Sequence, residues 1–181
     1  IFPDIMEKTQ NDIYLNIFKK ESGKQFEGYQ SEEDDENDEE EINKTGWFSQ
    51  SRQASLFVYP NGSIGKLGFK KYIKEKKILK TGLNMKKSIS YSYKLKSEFV
   101  DKIKGKNISE TINNISKYSS KYATVIRQIL NAENKSCFVY CSFVKGSGAI
   151  LLSLLLELCG FSKAFGSEST QKKRYALLTS T

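Results

Sequence analysis

The 181-residue chain carries 29 Lys+Arg against 21 Asp+Glu, with no histidine, for a formal charge of +8 and a pI near 9.2. Without histidine there is no Ser-His-Asp triad, no Cys-His dyad and no His-ligated metal site. Three cysteines, Cys137, Cys141 and Cys159, cannot close a disulfide framework, and the Cys137/Cys141 gap is not that of a zinc knuckle, so the chain reads as intracellular and reduced.

The chain opens on Ile1-Phe2-Pro3 without a signal-peptide pattern and reads as an internal piece of a longer protein. Ile13, Tyr14, Ile17 and Phe18 fall at helical spacing and predict a helix from about Gln10 to Lys20, with Thr9 as N-cap. Gly23 to Thr45 reads as loop. Within it, residues 32–41 run EEDDENDEEE, nine acids and no base, and without them 29 bases face 12 acids. A block of like charge this dense repels itself and buries nothing, so a solvated insertion is expected. Leu56-Phe57-Val58-Tyr59 is an apolar run stopped by the turn chemistry of Pro60-Asn61-Gly62. Nine lysines follow from Lys66 to Lys87, around Phe69 and Tyr72, and this stretch is expected to be irregular and outside the core.

From Lys94 the pattern becomes regular. Leu95, Phe99 and Ile103 mark one helix face, and Ile108, Ile112 and Ile115 mark a second. Ser119 or Ser120 can cap a third helix carrying Tyr122, Val125, Ile126, Ile129 and Leu130, the clearest amphipathic pattern in the chain. Cys137 to Cys141 is a short run of β-formers of the length of a buried parallel strand. Ala149 to Leu158 is a nearly all-apolar helix, ended by Gly160 in the left-handed conformation. It is broken by Ser153 and Glu157 and is too short for a bilayer, which takes about 20 apolar residues. Tyr175 to Thr179 reads as another strand. Helix, strand, helix, strand at this spacing predicts a parallel α/β unit with right-handed crossover.

The first candidate site is the loop Ser142 to Gly148, between predicted strand and helix. Open α/β sheets place ligands at such ends, and a helix N-terminus attracts phosphate. Ser142, Lys145, Gly146, Ser147 and Gly148 supply hydroxyls, a cation and close backbone approach, although the Walker A pattern is absent. The second is the basic segment 66–106 with Arg52, where lysines such as Lys70 and Lys71 interleave with Phe69, Tyr72, Tyr91 and Tyr93, compatible with phosphate contacts plus stacking. Arg174 beside Tyr175 is a third.

Residues 113–181, with "KYSSKY", "FVYCSFVKGSG", "LLSLLLELCGF" and "RYALLT", resemble the opening of the second RecA-like domain of superfamily 2 helicases. The nearest flavour is the SNF2-like group of large DNA viruses, of asfarvirus, mimivirus and poxvirus type. "SRQASLFVYPNGSIGKLGFKKY" is similar to the stretch between the two motor domains of those proteins, and "EKTQNDIYLNIFKKE" to the segment after the first. The resemblance implies an α/β fold: a partial RecA-like parallel sheet with flanking helices, preceded by a mostly irregular or helical arm. It divides the chain into a helical segment (1–22), an acidic loop (23–45), a basic inter-domain arm (46–106) and the start of the second motor domain (107–181). It implies that Ser142, Phe143, Lys145, Gly146 and Ser147, with Thr179 and Ser180, touch the nucleic-acid backbone, beside Arg52, Lys70 and Lys71. It further implies ATP and Mg²⁺ for the parent protein but none bound by this fragment, whose Walker A, DExH and arginine-finger motifs are missing. The implied partners are DNA or RNA, the first RecA-like domain of the parent, and viral RNA polymerase or virion proteins. No membrane is among them, and the implied location is host cytoplasm or virion. A non-catalytic nucleic-acid- or polymerase-binding module derived from such a motor is the alternative.

Overall fold

The computed structural model of the chain describes residues 5–26, 48–81, 87–132, 135–164 and 173–179. The acidic block and Ser180 lie outside these residues. Helix α1 (Lys8–Phe26) starts before Thr9, which is therefore not its cap, and extends into the expected loop. Helix α2 (Ser49–Leu56) begins after Phe48, whose φ of 56° gives no side-chain cap. Its first N–H groups are satisfied from α1 instead: Gln50 and Ser51 donate to the two oxygens of Glu21, at 2.9 and 3.0 Å. A carboxylate there also complements the helix dipole.

Phe57, Val58 and Tyr59 then run extended and buried to the Pro60 turn. The lysine-rich stretch that follows is not irregular. It forms α3 (Gly65–Tyr72) and a hairpin of β1 (Ile73–Thr81) and β2 (Lys87–Leu95); α4 (Ser97–Ile103) then follows as expected, burying Phe99 and Ile103, with Leu95 ending β2 instead. The reason is placement. Lys66, Lys70, Lys71, Lys74, Lys76 and Lys77 take exposed positions, while Phe69, Tyr72 and Ile73 face inward and are buried. The strands pair antiparallel, with Ile73 opposite Leu95 and Lys77 opposite Tyr91.

Helices α5 (Ile108–Ser116) and α6 (Ser120–Asn131) match their periodicity. Ser119 caps α6, accepting from Tyr122 N–H at 2.9 Å and donating to Leu56 O at 2.5 Å. Helix α7 (Ala149–Leu158) is buried along nearly its whole length. Gly160 follows at φ 88°, as its position predicts.

The two expected strands are a correction. Residues 135–141 form no strand, and Phe138 and Tyr140 are 87% and 80% exposed. Side chains of β-forming type do not make a strand without a ladder partner, and none is offered here among the described residues. Among the described residues parallel pairing is confined to β3 (Ser162–Lys163) and β4 (Arg174–Tyr175), so of the predicted strand Tyr175 to Thr179 only Tyr175 is paired. The architecture is mixed helix and strand. The described residues hold two two-stranded sheets and no RecA-like parallel sheet.

One apolar core joins the pieces. Tyr59 stacks on Tyr72 at 5.6 Å, Phe57 meets Tyr59 edge-on at 5.2 Å, and Phe99 closes the cluster 5.1 Å from Tyr72. Ile103, Ile115, Ile126, Leu151 and Leu155 fill the rest. Buried Gln10 ties α1 to this body: its Nε2 donates to Ala54 O at 3.1 Å, and its Oε1 accepts from Ser120 N–H at 3.3 Å.

Candidate nucleic-acid interface

The segment Ser142–Gly148 leads into α7, and its two halves have different surroundings. Gly146 holds φ 67°, a conformation that favours glycine, and a Cβ there would collide with Gln53 Oε1. Its carbonyl accepts from Tyr59 OH at 2.8 Å. Ser147 is fully buried. Its Oγ donates to Phe57 O at 2.9 Å and accepts from Gly65 N–H at 3.3 Å, its N–H donates to Gln53 Oε1 at 3.3 Å, and its carbonyl accepts from Tyr122 OH at 2.5 Å. Burial pushes the Tyr59 and Tyr122 hydroxyls well above the ordinary tyrosine range, so both remain donors.

The helix start is also occupied from within. Gly148 N–H donates to Lys145 O at 3.1 Å, Ala149 N–H to Phe143 O at 2.8 Å and Ile150 N–H to Val144 O at 3.0 Å. The N–H groups of residues 147–150, which would cradle a phosphate at the helix start, are therefore committed to the turn and to Gln53. Gly146 and Ser147 form its scaffold.

Ser142, Phe143 and Lys145 lie on the other half, at or near the surface. Arg52, one exposed turn into α2, reaches them: its Nη2 donates to Ser142 Oγ at 3.1 Å, and its guanidinium lies 5.2 Å from the centre of the Phe143 ring. Lys145 Nζ sits 2.8 Å from Glu75 Oε1 on β1, and 5.2 and 5.9 Å from the ring centres of Tyr91 and Tyr93 on β2. The hydrogen bond to Glu75 is the first cause raising the Lys145 pKa above its ordinary value. The result is a surface patch with two cations, a hydroxyl and several aromatic rings. Residues 90 positions apart in sequence meet in it.

The remaining candidates stand apart. Lys70 and Lys71 are exposed on α3, where Lys70 O accepts from Lys96 Nζ at 3.1 Å and Lys71 lies over the Tyr72 ring at 5.6 Å. Thr179 is exposed, and among the described residues no hydrogen bond links it to the turn. Tyr93 and Tyr91 joined the basic segment by sequence, but their proximity to Lys145 depends on the hairpin, which the lysine count obscured. Beneath residues 139–142 lies an apolar hollow of about 200 Å³, lined in part by Leu56, Tyr122, Val125 and Leu152. It is smaller than most small-molecule pockets.

The described residues contain no P-loop, and no group of three or more His, Cys, Asp or Glu side chains that could hold a metal ion. No described helix is long and apolar enough to cross a membrane.

Three viral proteins are similar to the chain. "Putative helicase 087L" of Invertebrate iridescent virus 3 is 40% identical over 136 residues, 73% of this chain and 12% of that protein. "Putative helicase 009L" of Frog virus 3 is 41% identical over 68 residues, 38% of this chain and 7% of that protein. "Putative ATP-dependent RNA helicase" of Heliothis virescens ascovirus 3e is 27% identical over 120 residues, 64% of this chain and 11% of that protein. The chain is thus related to proteins of large DNA viruses that are named as helicases, and it spans about a tenth of their length. No protein-family model and no solved structure matches it significantly.

Proposed function

We propose that the chain is a stretch of a viral ATP-dependent helicase or translocase of the superfamily 2, SNF2-like kind. In this reading it runs from the end of the first motor domain into the second RecA-like one, and its task is to hold the nucleic-acid backbone. The observation that carries the reading is the Arg52–Ser142–Phe143 cluster beside Lys145, in a chain related to helicase-named viral proteins. Arg52 is pre-oriented by its hydroxyl partner and by the ring beneath it. A guanidinium so held presents its remaining donors as a fork that matches two phosphate oxygens. Ser142 adds a hydroxyl donor, and Lys145 a point charge steadied by Glu75. Gly146 and Ser147 shape the turn from below. Lys70, Lys71, Thr179 and Ser180 would extend the track along the strand. In the parent protein ATP and Mg²⁺ belong to the first motor domain, and the setting is host cytoplasm or virion, with viral RNA polymerase a candidate neighbour.

A salt titration of the chain with a fluorescein-labelled single-stranded 20-mer, read by anisotropy, tests the reading. Binding should weaken linearly on a log–log plot, with a slope of about −0.7 per phosphate contacted. Arg52→Ala should lower affinity roughly fivefold to tenfold at low salt and reduce the slope by about one contact. No binding at low salt, or binding that ignores salt, sinks it.

A further inference from the structure

The hairpin next to the turn has two unlike faces. Strand β2 alternates through Ile89, Ser90, Tyr91, Ser92 and Tyr93, and a period of two sends alternate residues to opposite sides. The register puts Tyr93 across from Glu75 and Tyr91 across from Lys77 on one side. The other side pairs Lys74 with Lys94 and Lys76 with Ser92. The two strands together contain six lysines and one acid, Glu75, which is already bonded to Lys145.

The tyrosine face is anchored at its base and open further out. Tyr93 packs edge-on against buried Phe69 at 5.8 Å, and its hydroxyl donates to Glu75 at 3.2 Å. Tyr91 stacks on Tyr93 with ring centres 6.5 Å apart and an interplanar angle of 25°, yet it is 49% exposed. Lys145 reaches over both rings from the turn that carries Ser142. A half-exposed ring, held by a second ring and flanked by cations, lies beside a candidate phosphate clamp. A chain with phosphates on one edge and flat apolar rings on the other fits that juxtaposition.

We propose that the tyrosine face of the hairpin is a base-stacking platform, with Tyr91 as its outer ring, and that the ligand is therefore single-stranded nucleic acid. The inference rests on the backbone-holding reading above and adds strandedness to it. A base stacks on Tyr91 only if it is free of a complementary strand, whereas the Arg52 and Lys145 contacts alone would accept a duplex. The lysines on the opposite side add general attraction without reading the base.

The experiment uses the chain at fixed low salt with three labelled 12-mers: oligothymidine, an abasic deoxyribose-phosphate strand of the same length, and a duplex. Oligothymidine should bind about tenfold more tightly than the abasic strand, and more tightly than the duplex. Tyr91→Leu should abolish the difference by weakening oligothymidine more than the abasic strand, and Tyr91→Phe should keep it. Equal binding of oligothymidine and abasic strand by the unaltered chain would overturn the platform while sparing the backbone contacts. An equal loss for both probes in Tyr91→Leu, or preference for the duplex, would do the same. Binding of none of the probes would overturn the backbone reading and the platform with it.

Discussion

Residues Ser142 to Lys145 and residues Gly146 to Gly148 are neighbours in one turn, but they are built for different purposes. The first group is exposed or half-exposed and meets Arg52, Glu75 and two tyrosines at the surface. The second is buried, and its polar groups bond to Gln53, Phe57, Tyr59, Gly65 and Tyr122. A serine- and glycine-rich loop before a helix has the composition of an anion cradle. Whether it acts as one depends on where its N–H groups go. Here those of residues 147–150 are taken up within the protein, so charge recognition at the helix start shifts from backbone donors to side chains, above all to an arginine delivered by another helix.

The largest expected effect comes from breaking the buried half. Gly146→Ala puts a side chain on a φ of 67° and into Gln53, whose Oε1 also accepts from Ser147 N–H. Backbone strain and a displaced buried acceptor together should cost about 2–4 kcal/mol. Urea unfolding of the chain would measure it. Arg52→Ala, on the exposed half, should shift stability by less than about 0.5 kcal/mol. Equal costs for the two would dissolve the division.

A smaller effect tests the same half through pH. Tyr59 is buried and donates to Gly146 O, and burial raises its pKa far above 10. In the unfolded chain it ionises near pH 10. Above that pH the folded state therefore binds more protons than the unfolded one, so this contribution is whole below about pH 10 and declines as pH rises further. Tyr122, also raised by burial, acts in the same direction. Tyr59→Phe should lose about 1 kcal/mol at pH 7 with the hydrogen bond, yet decline less steeply than the unaltered chain between roughly pH 10 and 11.5. Denaturation midpoints across that range give both numbers.

The same contrast explains what could be read from the sequence. Helices α5, α6 and α7 were readable because each carries its own signal: an apolar stripe on the first two, a dense apolar run on the third, and caps at Ser119 and Gly160. The hairpin was missed because its lysines were counted rather than phased. The alternation from Ile89 to Tyr93 was its visible mark. The run Cys137–Cys141 misled for the opposite reason, since an apolar stretch indicates capacity to pair and not the presence of a partner. In the candidate site, Ser142 and Lys145 were identified from the loop that bears them. The link to Arg52, and the commitment of Ser147 to Phe57 and Gly65, arise from contacts across 82 to 90 residues, which no local pattern encodes.

The smallest expected effect lies on the exposed half and sharpens the comparison most. Glu75 is the single acid of the hairpin strands, and it holds Lys145 at 2.8 Å with the two side chains 33% and 54% exposed. An ion pair so accessible contributes about 0–1 kcal/mol. Glu75→Gln keeps an acceptor in place and removes one negative charge from the patch, so stability should change by less than about 0.5 kcal/mol. The Lys145 pKa should relax toward that of an ordinary lysine, because its largest upward influence is gone. Single-stranded nucleic acid should bind about twofold to fivefold more tightly at low salt, with the gain fading as salt rises. If Glu75→Gln weakens binding instead, the Lys145–Glu75–Tyr93 contacts hold the rings in place for the ligand. The exposed half would then be as much a scaffold as the buried one.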